Sequence, residues 1–272
     1  MSNYKYAIIV PNYNNDHGDY NGKTFLANCI ESILNQTYKD FTLIFVDDMS
    51  TDTSVKTVKS YKDKRIKIIK NIRKRYNGGS RNVGIEYALT HLDFQYFCFL
   101  DSDDWWKYNN VLELIDKKLN NHELMTIGCE MLNKNRITVH KRNHLPNCYE
   151  DIWSTTNKIW CTAWSRVIRR DKIQYFCEST LMEDRVWSYR IADNVDFKNV
   201  TNLGLCVYVW NQLNTNSVSK SNSSMWINSA WCHVGHLKQF MSEIKHVEML
   251  PELERRLNEC IENLKKGVYM QG

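Results

Sequence analysis

Apolar residues along this chain recur at two spacings, one for strands and one for helices. Tyr6-Ala7-Ile8-Ile9-Val10 is a continuous apolar run closed by Pro11, and it predicts a central strand. Turn-forming residues follow from Pro11 to Gly18, with a loop to about Gly22. Phe25, Leu26, Cys29, Ile30, Ile33 and Leu34 then fall on one helical face, ending at Asn35-Gln36-Thr37. Residues 41–46 predict a second strand that closes in Asp47-Asp48-Met49-Ser50. Residues 51–61 predict a polar helix capped by Ser50 or Thr51, and residues 66–69 a third strand. Asn77-Gly78-Gly79-Ser80 interrupts the pattern before a helix over about 81–91. Tyr96-Phe97-Cys98-Phe99-Leu100 then predicts a strand buried on both faces.

Beyond Leu119 the alternation weakens, with short mixed strands and loops expected to about 147. Residues 159–168 are aromatic-rich, 178–192 predict a loop entering a helix, and 205–210 predict a late strand. Residues 211–224 are rich in Asn and Ser and read as a loop. The tail over 225–264 reads as helical, with Leu250, Leu253, Leu257, Ile261 and Leu264 forming an apolar stripe suited to packing. Strand–helix alternation in the first half predicts an α/β fold: a Rossmann-like, doubly wound, mostly parallel sheet with right-handed crossovers.

Composition adds limits. The 272 residues are 43% hydrophobic and 25% charged, a globular composition large enough for one big domain or two small ones. No apolar run approaches the roughly 18 residues of a membrane span, and Met1-Ser2-Asn3-Tyr4-Lys5 holds no secretory segment. Nine cysteines without a Cys-x-x-Cys pair point to reduced thiols and a cytoplasmic setting. Cys232, His233 and His236 have helical spacing without further ligands, which favours packing over metal binding. The net charge of +5 suits a phosphate-bearing ligand. Lys62, Lys64, Arg65, Lys67, Lys70, Arg73, Lys74 and Arg75 form a basic cluster, either a solvated surface or a face for a diphosphate or polyanion.

The candidate chemistry lies at predicted strand ends. Pro11 to Tyr13, Asp47 to Ser50 and Asp101-Ser102-Asp103-Asp104 all follow strands, and a doubly wound sheet brings such ends to one edge, where ligands bind. Clustered carboxylates there suit Mg²⁺ or Mn²⁺ shared with substrate phosphates. The alternative is an Asp/Ser turn capping the helix expected near Tyr108. No Gly-x-Gly-x-x-Gly follows the first strand and no P-loop is present, so dinucleotide binding and a P-loop nucleotidase are disfavoured.

Taken in order, the motifs form a recognisable set. They are Val10-Pro11-Asn12-Tyr13-Asn14, Cys29-Ile30-Glu31-Ser32-Ile33-Leu34-Asn35-Gln36-Thr37-Tyr38, Val46-Asp47-Asp48-Met49-Ser50-Thr51-Asp52, Ser80-Arg81-Asn82-Val83-Gly84 and Phe99-Leu100-Asp101-Ser102-Asp103-Asp104. Trp164-Ser165-Arg166, Met182-Glu183-Asp184 and Tyr208-Val209-Trp210 follow. The set, over about residues 4–220, resembles the inverting family 2 glycosyltransferases of GT-A fold. The resemblance implies a domain over 1–222, with a nucleotide-sugar half (1–118) and an acceptor half (119–222), then a helical extension over 223–272.

It also implies roles. Pro11, Tyr13 and Asp47 would hold the nucleotide base, uracil-type by similarity, with Asp48 assisting or only shaping the turn. Arg81 would lie near the nucleotide or diphosphate, while Asn82 and Gly84 shape the helix start. Asp101, with Ser102 beside it, would contact ribose or metal and Asp103 would ligate Mn²⁺ or Mg²⁺; Asp104 is a ligand or a helix cap. Asp184 would be the base and Glu183 its orienting partner, the alternative being two acids favoured by a helix dipole. Of Trp105, Trp106, Trp160, Trp164 and Trp187 most are expected to pack, with Trp105 or Trp164 the exception that stacks on a sugar or base. The loop over 15–23 is longer than usual, and the lack of Gln-x-x-Arg-Trp and of membrane spans disfavours a processive synthase.

The partners that follow are a nucleotide-sugar donor, most simply UDP-linked, and a glycan, lipid-linked or small-molecule acceptor. Two rival readings remain: transfer to hydroxylated bases of nucleic acid, permitted by the basic cluster, and a non-catalytic nucleotide- or glycan-binding protein.

Overall fold

The computed structural model describes residues 5–73, 76–134, 136–140, 162–178, 180–216 and 223–266. Its first half follows the apolar pattern closely. Strands β1 (Tyr6–Asn12), β2 (Phe41–Asp47) and β3 (Ile66–Lys70) alternate with helices α1 (Phe25–Leu34) and α2 (Ser54–Ser60). Helix α3 (Asn77–His91) leads to β4 (Tyr96–Phe99). All four strands are parallel, in the order β3-β2-β1-β4. Residues of β1 and β2 are buried on both faces, as a central parallel strand requires. Ile8 and Val10 pack with Leu26 and Ile30 of α1, whereas Ile9 packs with Val83 and Ile85 of α3.

The second half of the sheet is mixed. Strand β5 (Trp105–Trp106) and helix α4 (Val111–Leu119) precede β6 (Leu124–Asn133), which pairs with β7 (Arg136–His140). Strand β8 (Arg166–Arg169) lies antiparallel between β4 and β6, and β9 (Val200–Asn211) runs parallel to β6. Helix α5 (Glu183–Asn194) comes between β8 and β9, and helices α6 (Ser223–Glu243) and α7 (Leu250–Lys265) end the described chain.

Several boundaries differ from the sequence expectation. Helix α2 begins at Ser54, not near 51, because Ser50 and Thr51 are engaged with the loop after β1. The Asn77-Gly78-Gly79-Ser80 stretch is the first turn of α3 rather than a break before it. Glycine is needed there: a Cβ on Gly78 would lie 2.2 Å from the Cys177 carbonyl oxygen. Gly84 likewise lets α3 approach β1, since a Cβ would meet Ile9 Cγ2 at 2.7 Å. The apolar run at 96–100 is followed by a turn and the short strand β5, so the next helix starts at Val111 and not near Tyr108. The late strand begins at Val200 instead of 205, and β6 is a ten-residue strand where shorter ones were expected. The 225–264 tail divides into two helices whose apolar faces join the core cluster of α5.

Candidate active site

The nucleotide-side residues meet at adjoining strand ends. Register places Asn12 beside Asp47, and Asp47 beside Lys70. The Asp47 carboxylate accepts from the Ser50 amide at 3.2 Å, while Ser50 Oγ accepts from Asn12 Nδ2 at 3.0 Å. Asp48 accepts from Asn71 Nδ2 (2.7 Å) and from the Tyr76 amide (3.2 Å), so its carboxylate ties the β3–α3 connection to the end of β2. Pro11 is buried beside them, and Tyr13 is 46% exposed at the rim.

The Asp-Ser-Asp-Asp turn is held from two directions. Ser102 is buried and its Oγ accepts from Asn15 Nδ2 at 2.6 Å. Asp104 is buried and accepts from Tyr208 Oη (2.6 Å) and the Asn211 amide (2.8 Å). It therefore anchors the turn to β9 and caps no helix; Asn110 holds the N-cap of α4. Burial, together with the charges of Asp103 and Asp101, pushes the Asp104 carboxyl well above the usual range. Replacing Tyr208 with Phe leaves this buried carboxylate short of a donor. A loss of about 1–3 kcal/mol is expected, read as a lower urea midpoint at unchanged slope.

Asp103 accepts from Asn214 Nδ2 at 2.7 Å, and burial and the Asp101 charge push its carboxyl up to about 6. Asp101 lies 27% exposed, paired through one oxygen with Arg81. Two hard, acceptor-only carboxylates on one turn, crowded enough to raise Asp103, suit a divalent cation that also takes oxygens from a bound diphosphate. Among the described residues no three His, Cys, Asp or Glu side chains form a metal cluster.

Arg81 joins the two halves of the site. Its side chain is 1% exposed, with Nη2 at 2.6 Å from Asp101 Oδ1 and Nη1 at 2.6 Å from Glu183 Oε1 and 3.3 Å from Asp184 Oδ1. Burial disfavours its charge, yet the three carboxylates outweigh that and raise its pKa. The guanidinium thus contacts Asp101, Glu183 and Asp184 together. Glu183 and Asp184 open α5, where the helix dipole favours acids. Burial still pushes Asp184 up to about 6 and Glu183 to about 8, with Arg81 pulling both back. Asn82 fixes the same region from α3. Its side chain accepts from the Phe176 amide (2.8 Å) and donates to the Phe176 carbonyl (3.0 Å).

Sequence reasoning missed Asn15, His17, Asn211 and Asn214, and gave Tyr208 no role beyond its motif. Asn214 bridges Asp103, Asn15 and His17, at 2.7, 3.2 and 3.1 Å. The unusual length of the 15–23 loop was the available signal, since that loop supplies Asn15 and His17. The tryptophans pack: Trp105 is buried and stacked on Tyr20, Trp164 is buried against Tyr208, and Trp106 and Trp187 are buried. Neither expected exception is open to a ligand. In the basic cluster, Arg65 pairs with Asp63, and Arg73 pairs with Glu86 and Glu178. Lys74, Arg75, Trp160 and most of the 211–224 loop's second half lie outside the described residues.

Comparison with known proteins places this geometry. The family model described as Glycosyl transferase family 2 matches residues 7–176, more than half of the chain. The chain is 34% identical over 138 residues to the Escherichia coli UDP-Glc:alpha-D-GlcNAc-diphosphoundecaprenol beta-1,3-glucosyltransferase WfgD, covering 50% of each. It is 35% identical over 133 residues to the Bacillus subtilis minor teichoic acid biosynthesis protein GgaB, covering 46% of this chain and 13% of that one. The chain thus spans about half, or less, of the length of these relatives. Among solved structures, S. aureus TarS 1–349 in complex with UDP-GlcNAc superimposes with a TM-score of 0.65 at 18% identity, over 86% of this chain and 66% of that one. A Pyrobaculum calidifontis mannosyltransferase in complex with GDP-Man and Mn²⁺ gives 0.61 at 14% identity, over 97% and 74%. No described helix is long and apolar enough to cross a membrane. With its parallel donor-side strands, its carboxylate turn after β4 and its match to the family model, the chain belongs to glycosyl transferase family 2 and has the GT-A fold.

Proposed function

We propose that this protein is an inverting, non-processive transferase that moves one sugar from a UDP-linked donor to the hydroxyl of a glycan carried on a lipid diphosphate. The observation that carries the reading is the Arg81 bridge, which holds Asp101 and the Glu183–Asp184 pair around one guanidinium. Donor-side and acceptor-side carboxylates are thereby fixed about one point. Pro11, Tyr13 and Asp47 hold the base, and Asp48 keeps the turn that presents Asp47. Ser102 stiffens the turn that carries Asp101 and Asp103, which would hold Mn²⁺ or Mg²⁺ with the donor phosphates. Bound there, the cation would supply positive charge against the leaving diphosphate.

Asp184 takes the proton from the acceptor hydroxyl. The hydroxyl oxygen forms its bond to the anomeric carbon from the face opposite UDP, and the bond to the β-phosphate oxygen breaks with its electrons leaving on UDP. A carboxyl raised to about 6 is ionised near neutrality yet basic enough to accept that proton. Glu183 and Arg81 orient it. UDP as carrier is supported by the TarS likeness, and a lipid-diphosphate acceptor by the relative WfgD, whose name specifies one. The internal pairing of Arg65 and Arg73 weakens the case for a nucleic-acid acceptor.

The test is a panel of nucleotide sugars, assayed for binding and turnover with Mn²⁺, with Mg²⁺ and with chelator. One UDP-sugar should be used only when metal is present. Asp103→Ala should lower metal-dependent turnover by about 100-fold or more. Equal turnover in chelator, or a fully active variant, would remove Asp103 from the metal site.

A further inference from the structure

Helix α5 carries the proposed base, yet it begins without a cap of its own: Met182 holds the N-cap position and contributes no side-chain hydrogen bond. A helix start leaves backbone N–H groups without helical partners, and a buried start must satisfy them otherwise. Here the two amides just before the helix go to hydroxyls, one of them from a different helix. The Leu181 amide donates to Ser229 Oγ at 2.5 Å, and the Met182 amide to Thr180 Oγ1 at 3.0 Å. Thr180 Oγ1 lies 2.8 Å from Ser229 Oγ and 3.1 Å from the Ser229 carbonyl oxygen.

One assignment uses every donor once. Ser229 Oγ–H donates to Thr180, and Thr180 Oγ1–H donates to the Ser229 carbonyl, while each hydroxyl oxygen accepts one amide. Thr180 is 1% and Ser229 5% exposed, so water does not substitute readily for either.

Ser229 belongs to α6, which meets α5 from Ser229 to Phe240. Phe240 stacks on Tyr189 with ring centres 6.2 Å apart, and Ala230, Val234 and Leu237 share the core cluster of Val186 and Ile191. At the far end of α5, the Asp193 carboxylate accepts the Lys245 amide at 3.0 Å and the His246 amide at 2.9 Å. Helix α6 and the connection that follows it therefore hold α5 at both ends, and the Ser229 end lies immediately before Glu183 and Asp184.

We propose that Ser229 is a positioning residue for transfer: through Thr180 it sets where Glu183 and Asp184 stand, which makes α6 part of the transfer site. This rests on the reading of Asp184 as base. A side chain held for proton transfer tolerates little displacement, because an error of about 1 Å can cost two orders of magnitude in rate.

The test uses the full chain with Ser229→Ala, Thr180→Val, Thr180→Ser and the Ser229→Ala/Thr180→Val double variant. Thr180→Val keeps shape and removes the hydroxyl; Thr180→Ser keeps the hydroxyl. Ser229→Ala and Thr180→Val should each lower kcat by about 10- to 100-fold, with the KM for donor and the UDP affinity unchanged. Thr180→Ser should retain wild-type kcat, and the double variant should be no worse than either single one, as expected for one shared network. Amide hydrogen exchange over 180–186 should quicken in the two hydroxyl-deleting variants and stay constant over β1 and α1. Normal kcat in both, or a loss shared equally by UDP affinity, overturns the proposal. If the wild-type chain transfers no sugar, the transferase reading fails. Exchange over 180–186 then decides the clamp alone, with faster exchange supporting it and unchanged exchange overturning it.

Discussion

Asp184→Asn should abolish most sugar transfer while leaving donor binding intact. The amide keeps the size of the carboxylate but cannot accept a proton from the acceptor hydroxyl. Loss of a positioned general base costs about 10²- to 10⁴-fold. Because Asp184 contacts Arg81 at 3.3 Å, a longer approach than that of Asp101 or Glu183, the change leaves the two shorter ion pairs in place. UDP affinity measured by calorimetry should therefore match wild type. The pH profile gives a second readout. Burial holds the Asp184 carboxyl up at about 6, so the basic form is depleted as pH falls through that value. Wild-type kcat should then drop about tenfold per pH unit below it, and that acid limb should vanish from the residual activity of the variant. A variant that loses UDP affinity and transfer together would show Asp184 to be structural.

The same residues show how far the chain could be read without its structure. Strands β1, β2 and β4 are continuous apolar runs flanked by turn residues, so periodicity alone located them and the edge at which Asp47 and Asp101 emerge. Glu183 and Asp184 were found only through likeness to a family, because two acids at a helix start are ordinary. What joins them to Asp101 is Arg81, 102 residues away from Glu183 in sequence, and no local pattern encodes that contact. Asn77-Gly78-Gly79-Ser80 was misread for a related reason. Two glycines lower intrinsic helix propensity, but the Cys177 carbonyl pressing on Gly78 excludes any side chain there, so packing overrides propensity. Asn214 carried no signal at all. Its side chain links Asp103 to two residues of a loop roughly 200 residues earlier, and such networks form only when the sheet has brought strand ends together.

Arg81→Leu should destabilise the fold severely, and by an amount that depends on pH. The substitution removes the cation that Asp101, Glu183 and Asp184 share, leaving buried carboxylates short of a counter-charge. Breaking a buried ion pair by deleting one partner costs about 3–5 kcal/mol. Leucine does not restore the balance, since the cost lies in the acids that remain. Arg81→Lys keeps the charge but not the fork that reaches Asp101 and Glu183 at once, and should fall between the two. The sign of the pH effect follows from the shifts. In the folded wild type, Asp184 is raised to about 6 and Glu183 to about 8 even with Arg81 pulling both down. Unfolded carboxyls ionise near about 4. Between these values the folded chain holds protons that the unfolded chain has released, so raising pH favours unfolding. Without Arg81 both folded values move higher still, and the window widens upward. The deficit of Arg81→Leu relative to wild type should therefore be small near pH 5, where the acids can take up protons, and largest above pH 8. Urea midpoints across that range measure it. A deficit that is constant with pH would mean that lost packing, rather than stranded charge, accounts for the damage.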